Sequence, residues 1–340
     1  MEARPTLRTA DEIARIRDAG QVVHQVLEEV ARAAVPGVTT AELDRLAEAR
    51  TRALKARPAF LGYRGYPASL CISVNEEVIH GIPGPRVLQE GDVVGIDHGV
   101  VLAGWYADSA RTVAVGQIDA ASERLLRATR QALARGIAAA RPGGHLGDIG
   151  HAVEAWAEAQ GYSVVRDFVG HGVGRRLHEP PQVPNYGEAG TGMLLRPGLV
   201  LAIEPMVNAG GPEVRTLDDG WTAVTADGAR SAHFEHTVAI TEKGPENPDL
   251  ARWGVDGRGV RGTRRRAAGH GRVTAALAAK KGLCYRARSA TPLQPGRPSG
   301  KARRIRAARR GGAESPRPPH PPAVAAGVFV LRTEAWRPRT

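Results

Sequence analysis

The stretch VVGIDHGVVLAGWYADSARTVAVG, residues 93–116, constrains this chain more than any other. It reads as two apolar strands joined by a short turn near Ala103-Gly104, each carrying one aspartate, Asp97 and Asp108. A turn centred on Leu102 and Ala103 makes the two aspartates direct cross-strand neighbours. Side chains so placed have Cβ atoms ~4.5–5.5 Å apart, and like charges there destabilise the pair. Carboxylates held together among valines need compensation, because burying an unpaired charge is costly. The blander alternative is that both aspartates mark strand ends turned to water.

The surrounding pattern weighs against that alternative. Ile13, Ile16, Val23, Val26, Leu27 and Val30 recur at close to helical spacing over residues 9–34, with Thr9 and Glu12 as a capping box. Thr39 and Glu42 box a second helix running to about Ala56. Residues 119–140 and 146–160 predict two more helices, and residues 69–79, 199–205 and 232–241 predict strands. The order repeats. VPGVTTAEL (35–43) resembles RPGGHLGDI (141–149), and LQEGDVVGID (88–97) resembles LRPGLVLAIE (195–204), which aligns Asp97 with Glu204. Each copy closes on a strand with a carboxylate, DSARTVAV (108–115) and EHTVAI (235–240). The expected fold is α/β, in two related halves that bring Asp97, Asp108, Glu204 and Glu235 to one centre. One or two divalent metal ions would balance them.

Composition narrows the setting. Two cysteines, Cys71 and Cys284, with no CxxC, argue against a disulfide framework or a thiolate zinc site and suit a reducing compartment. No run approaches the ~18 apolar residues of a membrane span, and the first residues lack the apolar stretch of a signal peptide. The net charge of +12 is uneven. Residues 251–340 hold 19 Arg and 3 Lys against Asp256, Glu314 and Glu334, so the acidic body before them carries −7.

VGHGVGRRLHEPPQVPNYG (169–187) supplies His171 and His178. It lacks the Gly-Lys-Ser/Thr ending of a phosphate loop. Glycines on both sides of His171 instead let backbone pack closely around that side chain, as a metal ligand requires. His98 alternates away from Asp97 and reads as structural.

Together with FLGYRGYPASLCISVNEEVIHGIPG (60–84), IEPMVNAG (203–210) and DGWTAVTADGARSAHFEHTVAIT (219–241), these motifs resemble the bacterial type I methionine aminopeptidases over nearly all of residues 5–246. The resemblance implies the pita-bread fold, an α/β (α+β) arrangement of two pseudo-symmetric halves with antiparallel sheet flanked by helices. It implies removal of the N-terminal methionine from nascent polypeptides, mainly before a small second residue, by metal-activated attack of water on the first peptide bond. It implies two divalent ions, with Asp97 on one, His171 and Glu204 on the other, and Asp108 and Glu235 shared. One nitrogen among many oxygens favours Co(II), Mn(II) or Fe(II), with Zn(II) still compatible. Glu204 is then also the proton shuttle, His178 steadies the scissile carbonyl, and His80 lies near the scissile nitrogen. Phe60, Tyr63, Tyr66, Cys71, Leu177 and Trp221 match positions lining the methionine pocket, alongside His80 and His178. Phe60 and Leu177 depart from the residues common there but keep the wall apolar. Cys71 is expected as wall and not as nucleophile. The implied setting is a cytoplasmic monomer working on emerging chains near the ribosome, without membrane or sequence-specific nucleic-acid binding. An X-Pro aminopeptidase with the same metal set, or an idle fold used for binding, are the alternatives.

The family ends soon after its last strand with wording such as Gly-Pro-Glu-Ile-Leu-Thr, whereas this chain reads GPENPDLARW. One extra A before ATC CTG ACC turns Ile-Leu-Thr into Asn-Pro-Asp, the residues at 247–249. The sequence therefore divides into a catalytic domain, 1–246, and a basic Arg/Ala/Gly/Pro-rich tail, 247–340, expected to be disordered and a frameshift product. The rival readings of the tail are an inert appendage and an RNA-binding segment around KARRIRAARR (301–310), acting by phosphate neutralisation.

Overall fold

The computed structural model describes residues 4–247. All but the first residue of the 247–340 tail, and with them the disorder expected there, lie outside the described residues.

The capping boxes start the first two helices where the sequence places them. Thr9 precedes α1 (Ala10–Ala33) and Thr39 precedes α2 (Thr40–Ala53); each accepts from the backbone N–H three residues on, and Glu12 or Glu42 reaches back. All six apolar positions read from α1 are buried. They pack with Leu43 of α2 and with Ile96 and Trp105 of the hairpin into one core. Helices α3 (Ala120–Ala139) and α4 (Leu146–Ala159) build a second core with Leu201, Ile203 and Val238.

The internal repeat is visible in the hydrogen bonds. Gly37 N–H donates to the Leu88 carbonyl at 2.8 Å, and Gly143 N–H to the Leu195 carbonyl at 2.9 Å. Thr40 donates to Arg86 and Leu146 to Met193, both at 2.9 Å. Isolated bridges join Thr39 to Val87 and His145 to Leu194. The first half thus fastens the loop before its second helix to the segment before its carboxylate strand, and the second half does the same.

Two strand expectations need correction. Residues 69–79 form two strands, Cys71–Val74 and Glu77–Ile79, because Asn75 turns the chain with φ of 61°. Asn75 tolerates that conformation, and its side chain donates to Asp92 at 2.9 Å and accepts from Val93 N–H at 3.0 Å. Residues 232–241 break between Ser231–His233 and His236–Thr241, where Phe234 enters the second core and Glu235 pairs across to Ala110.

The hairpin register differs as well. Val93–Leu102 pairs with Trp105–Ala114 so that Leu102 faces Trp105, Asp97 faces Ala110 and Asp108 faces Gly99. The aspartates are diagonal and not direct neighbours. The cause is the turn: Ala103 and Gly104 both take positive φ, 49° and 80°, the handedness that a two-residue hairpin loop needs to match strand twist. Moving the turn back one residue would put Leu102 in that conformation. The shift keeps strand parity, so both carboxylates remain on one face, at the diagonal spacing of ~7–8 Å.

The halves meet along Asp108–Thr112 and His233–Thr237, which run antiparallel. Ala110 and Glu235 exchange backbone hydrogen bonds of 3.4 and 2.9 Å. On one side Thr237 Oγ1 accepts from Asp108 N–H at 3.2 Å and donates to the Asp108 carbonyl at 2.8 Å. On the other, Thr112 Oγ1 accepts from His233 N–H at 2.9 Å and donates to the His233 carbonyl at 2.8 Å. Aligning Asp108 with Glu235 carries Ala110 onto Thr237, so the Asp108–Thr237 and Ala110–Glu235 pairs exchange as a local twofold requires.

Threonine hydroxyls thus replace part of a sheet ladder at the seam. Thr112→Val or Thr237→Val keeps the shape but leaves buried main-chain groups unpaired. Each is expected to lower the unfolding free energy by ~1–3 kcal/mol, seen as a lower urea midpoint at unchanged m value.

Candidate metal centre

The seam and the two sheets deliver the candidate ligands. Asp97 and Asp108 come from the two strands of the hairpin. Glu204 follows Val200–Ile203, and Glu235 sits in the break before His236–Thr241. His171 occupies the middle of Gly170–Gly172, a strand lying between Val200–Ile203 and Glu179–Val183. The flanking glycines are required by close approach. A Cβ on Gly170 would lie 2.3 Å from the Ala202 carbonyl oxygen, and one on Gly172 would lie 2.4 Å from that of Pro180.

His171 Nε2 stands 3.4 Å from Asp108 Oδ2 and 3.5 Å from Glu204 Oε1, while its Nδ1 donates to the Gly172 carbonyl at 2.9 Å. That bond orients the ring and leaves Nε2 for the centre. Asp108, His171 and Glu235 offer ligand atoms all within 4.8 Å of one another. Asp97 Oδ1 is buried without a hydrogen-bond partner among the described residues. An orphaned carboxylate oxygen beside an oxygen-rich set with one imidazole nitrogen fits a divalent cation.

The electrostatics carry the strain of a centre crowded with like charge. Burial, then Asp108 and Glu204, push Asp97 well above the usual carboxylate range. Burial raises Glu204 to about 8, with His171 opposing and Asp108 adding. Burial alone would lower His171, but Asp108 and Glu204 outweigh it and hold it at about 9. The other histidines go the opposite way. His178 is lowered to about 2 by burial and by His171 and His80, and His80 is lowered to about 4 by burial.

Beside the centre, Phe60, Tyr66, Cys71 and Leu177 form a buried apolar cluster with Tyr63 and Trp221 packed on it. All six pocket residues expected from the sequence are therefore brought together. Tyr66 fixes the wall by donating to the Leu70 and Gly81 carbonyls, at 3.0 and 2.9 Å, and its ring meets Trp221 edge-on at 5.0 Å. Cys71 lies opposite Asp97 in the sheet, and burial followed by that aspartate pushes its thiol upward, away from a nucleophile's thiolate. His178 spans pocket and centre: its Nδ1 is 2.8 Å from the Tyr63 hydroxyl and its ring is 4.1 Å from that of His171. His80 packs edge-on against Phe168 and Trp221. His98 points the other way and bonds the Ser69 carbonyl and the Thr51 hydroxyl, a structural role.

One side chain at the centre was not read from the sequence. His233 Nε2 lies 3.9 Å from Glu204 Oε2. Alternation around Phe234, whose ring enters the core, puts His233 on the side of Glu235; that was its one available signal.

Comparison with known proteins agrees with this geometry. Residues 14–242 match Metallopeptidase family M24. A methionine aminopeptidase of Clostridium perfringens is 52% identical over 240 residues, which cover 71% of this chain and 96% of that protein. The crystal structure of methionine aminopeptidase from Thermotoga maritima matches with a TM-score of 0.71 at 47% identity, over 72% of this chain and 99% of that one. Prolidase from Pyrococcus furiosus, at 23% identity and a TM-score of 0.60 over 72% of this chain and 66% of its own, shares the fold alone. The two-half architecture is the pita-bread fold.

The raised groups set the pH response of the metal-free protein. Glu204 and His171 keep their protons to about pH 8 and 9, against 4.5 and 6.5 when unfolded. The native state then binds more protons than the unfolded one, so stability falls as pH rises. His80, His98, His178 and His233 are all lowered from 6.5, so their opposing contribution is half complete at pH 6.5 and finished about one unit above it. Chelator-treated protein is expected to lose melting temperature steadily from about pH 7.5 to 9. Added Mn(II) should reverse the loss, because it binds the deprotonated ligands.

Proposed function

The chain belongs to metallopeptidase family M24, which spans its residues 14–242, and from that premise we propose how it removes the N-terminal methionine of polypeptides with two divalent ions. The observation that carries the reading is the junction of a buried apolar cluster with a carboxylate-rich centre, made by the 2.8 Å contact of Tyr63 with His178, whose ring lies 4.1 Å from that of His171.

Asp97 would hold one ion, His171 and Glu204 the other, and Asp108 and Glu235 would contribute to both. Oxygen donors with a single imidazole favour Mn(II), Fe(II) or Co(II), and zinc remains compatible. When bound, the ions polarise the substrate carbonyl and lower the pKa of the attacking water. Glu204 takes the proton from that water and passes it to the leaving amine. We assign the ring hydrogen of neutral His178 to Nε2, with the Tyr63 hydroxyl donating to Nδ1, so that it donates to the developing oxyanion. His80 stands by the scissile nitrogen. The methionine side chain enters between Phe60, Tyr63, Tyr66, Cys71, Leu177 and Trp221. The substrate's free α-amine, held at the centre, confines cleavage to the first bond, and a small second residue is preferred.

We place this activity in the cytoplasm, on chains emerging from the ribosome, with the enzyme a monomer that binds neither membrane nor specific nucleic-acid sequence. No helix among the described residues is long and apolar enough to cross a membrane. The catalytic domain is set at residues 1–246, and resequencing the gene across codon 246 decides whether the tail is a frameshift product.

Methionine release from Met-Ala-Ser is expected only after Mn(II), Fe(II) or Co(II) is restored to stripped protein, and an X-Pro peptide should stay intact. Release without metal, or cleavage of X-Pro in preference, sinks the reading; a folded, metal-loaded protein that releases nothing points to the idle binding fold. His178→Ala is expected to lower kcat by roughly 10²–10³-fold with far less change in KM, as steady-state kinetics would show.

A further inference from the structure

Beyond the five ligands, a buried side chain turns toward the centre a ring nitrogen with no hydrogen bond among the described residues. His233 is 4% exposed, and its Nε2 is buried without a hydrogen-bond partner among the described residues. Leaving such an atom unpaired is destabilising. In front of it lies the Glu204 carboxylate, with Oε2 at 3.9 Å. The other oxygen of that carboxylate, Oε1, stands 3.5 Å from His171 Nε2. Two imidazoles thus divide one carboxylate between them.

Neither group is free to drift. The main chain of His233 is tied to Thr112 Oγ1 in both directions, and His233 pairs with Met206, two residues after Glu204. The Glu204 carbonyl accepts from Asn185 Nδ2 at 3.0 Å. An imidazole ring carries at least one N–H. A lone pair on Nε2 would repel the carboxylate; a hydrogen there would be donated to it. The present separation exceeds a formed hydrogen bond, and a side-chain adjustment of about 1 Å closes it.

We propose, on the footing of the metal set assigned above, that His233 is a positioning residue for Glu204: its Nε2–H holds Oε2 and leaves Oε1 as the single oxygen offered to the ion beside His171. Groups that orient a ligand in this way set metal affinity nearly as strongly as the ligands do.

The test is calorimetric titration of Mn(II) into the chelator-stripped full-length chain. His233→Leu should weaken Mn(II) binding by roughly 10–100-fold, while His233→Gln, whose amide can still donate to Glu204, should stay close to the parent. The metal-free melting temperature of His233→Leu should hold or rise, because an unpaired buried polar atom has been removed. In a Glu204→Gln background the leucine change should cost little more, since its effect passes through the carboxylate. Unchanged Mn(II) affinity in His233→Leu overturns the role. So does an undiminished loss in the Glu204→Gln background, or a fall in metal-free stability that His233→Gln shares. A parent chain that binds no Mn(II) would remove the metal set and the role of His233 with it.

Discussion

Burying several carboxylates around one imidazole, at the seam of two half-domains, is the constraint on which the rest of this structure depends. Asp97, Asp108, Glu204 and Glu235 would drive each other apart if their backbones could yield. The backbones are held by packed cores on both sides and by threonine hydroxyls that tie Asp108 to Thr237 and Thr112 to His233. The crowding appears as displaced proton affinity: burial first, then neighbouring carboxylates, raise Asp97 and Glu204, while Asp108 and Glu204 hold the His171 proton to about 9. A site so loaded is poised for cations, which relieve the repulsion that the scaffold maintains.

The histidines show how environment divides the work of one residue type. His171 lies among carboxylates and is pushed upward, whereas His80, His178 and His233 are buried and pushed downward. The neutral rings can act as directed donors and acceptors, and their roles follow from what each nitrogen faces. Nδ1 of His178 meets the Tyr63 hydroxyl, and its ring lies 4.1 Å from that of His171. In His98 both nitrogens are taken by Ser69 and Thr51, which leaves it no chemistry. The aromatic cluster and the polar centre adjoin because Tyr63, packed on the cluster, touches His178, whose ring lies 4.1 Å from that of His171.

Much of the candidate site could be read before any coordinates. The repeat aligned Asp97 with Glu204, and the glycines beside His171 marked a place where backbone comes close, as the 2.3 and 2.4 Å approaches at Gly170 and Gly172 bear out. The pocket residues came from motif resemblance, and they do cluster. The hairpin register was misread by centring the turn on Leu102 and Ala103, since periodicity alone does not say which two residues take positive φ. His233 was passed over because a histidine between strand residues looks like core, and its neighbour Glu204 is remote in sequence.

What the sequence determined by itself is local and periodic: helix caps at Thr9 and Thr39, buried helix faces, two homologous halves, and the residue types able to bind a metal. Short-range hydrogen bonding and the burial of apolar side chains suffice for those, and each acts within a few turns of chain. Tertiary structure alone decided which groups meet across the seam. It set Asp108 diagonal to Asp97, joined Tyr63 to His178, and turned the unpaired nitrogen of His233 toward Glu204. Those contacts depend on how two separately built sheets dock, and small differences in register or packing move a side-chain atom further than the length of a hydrogen bond.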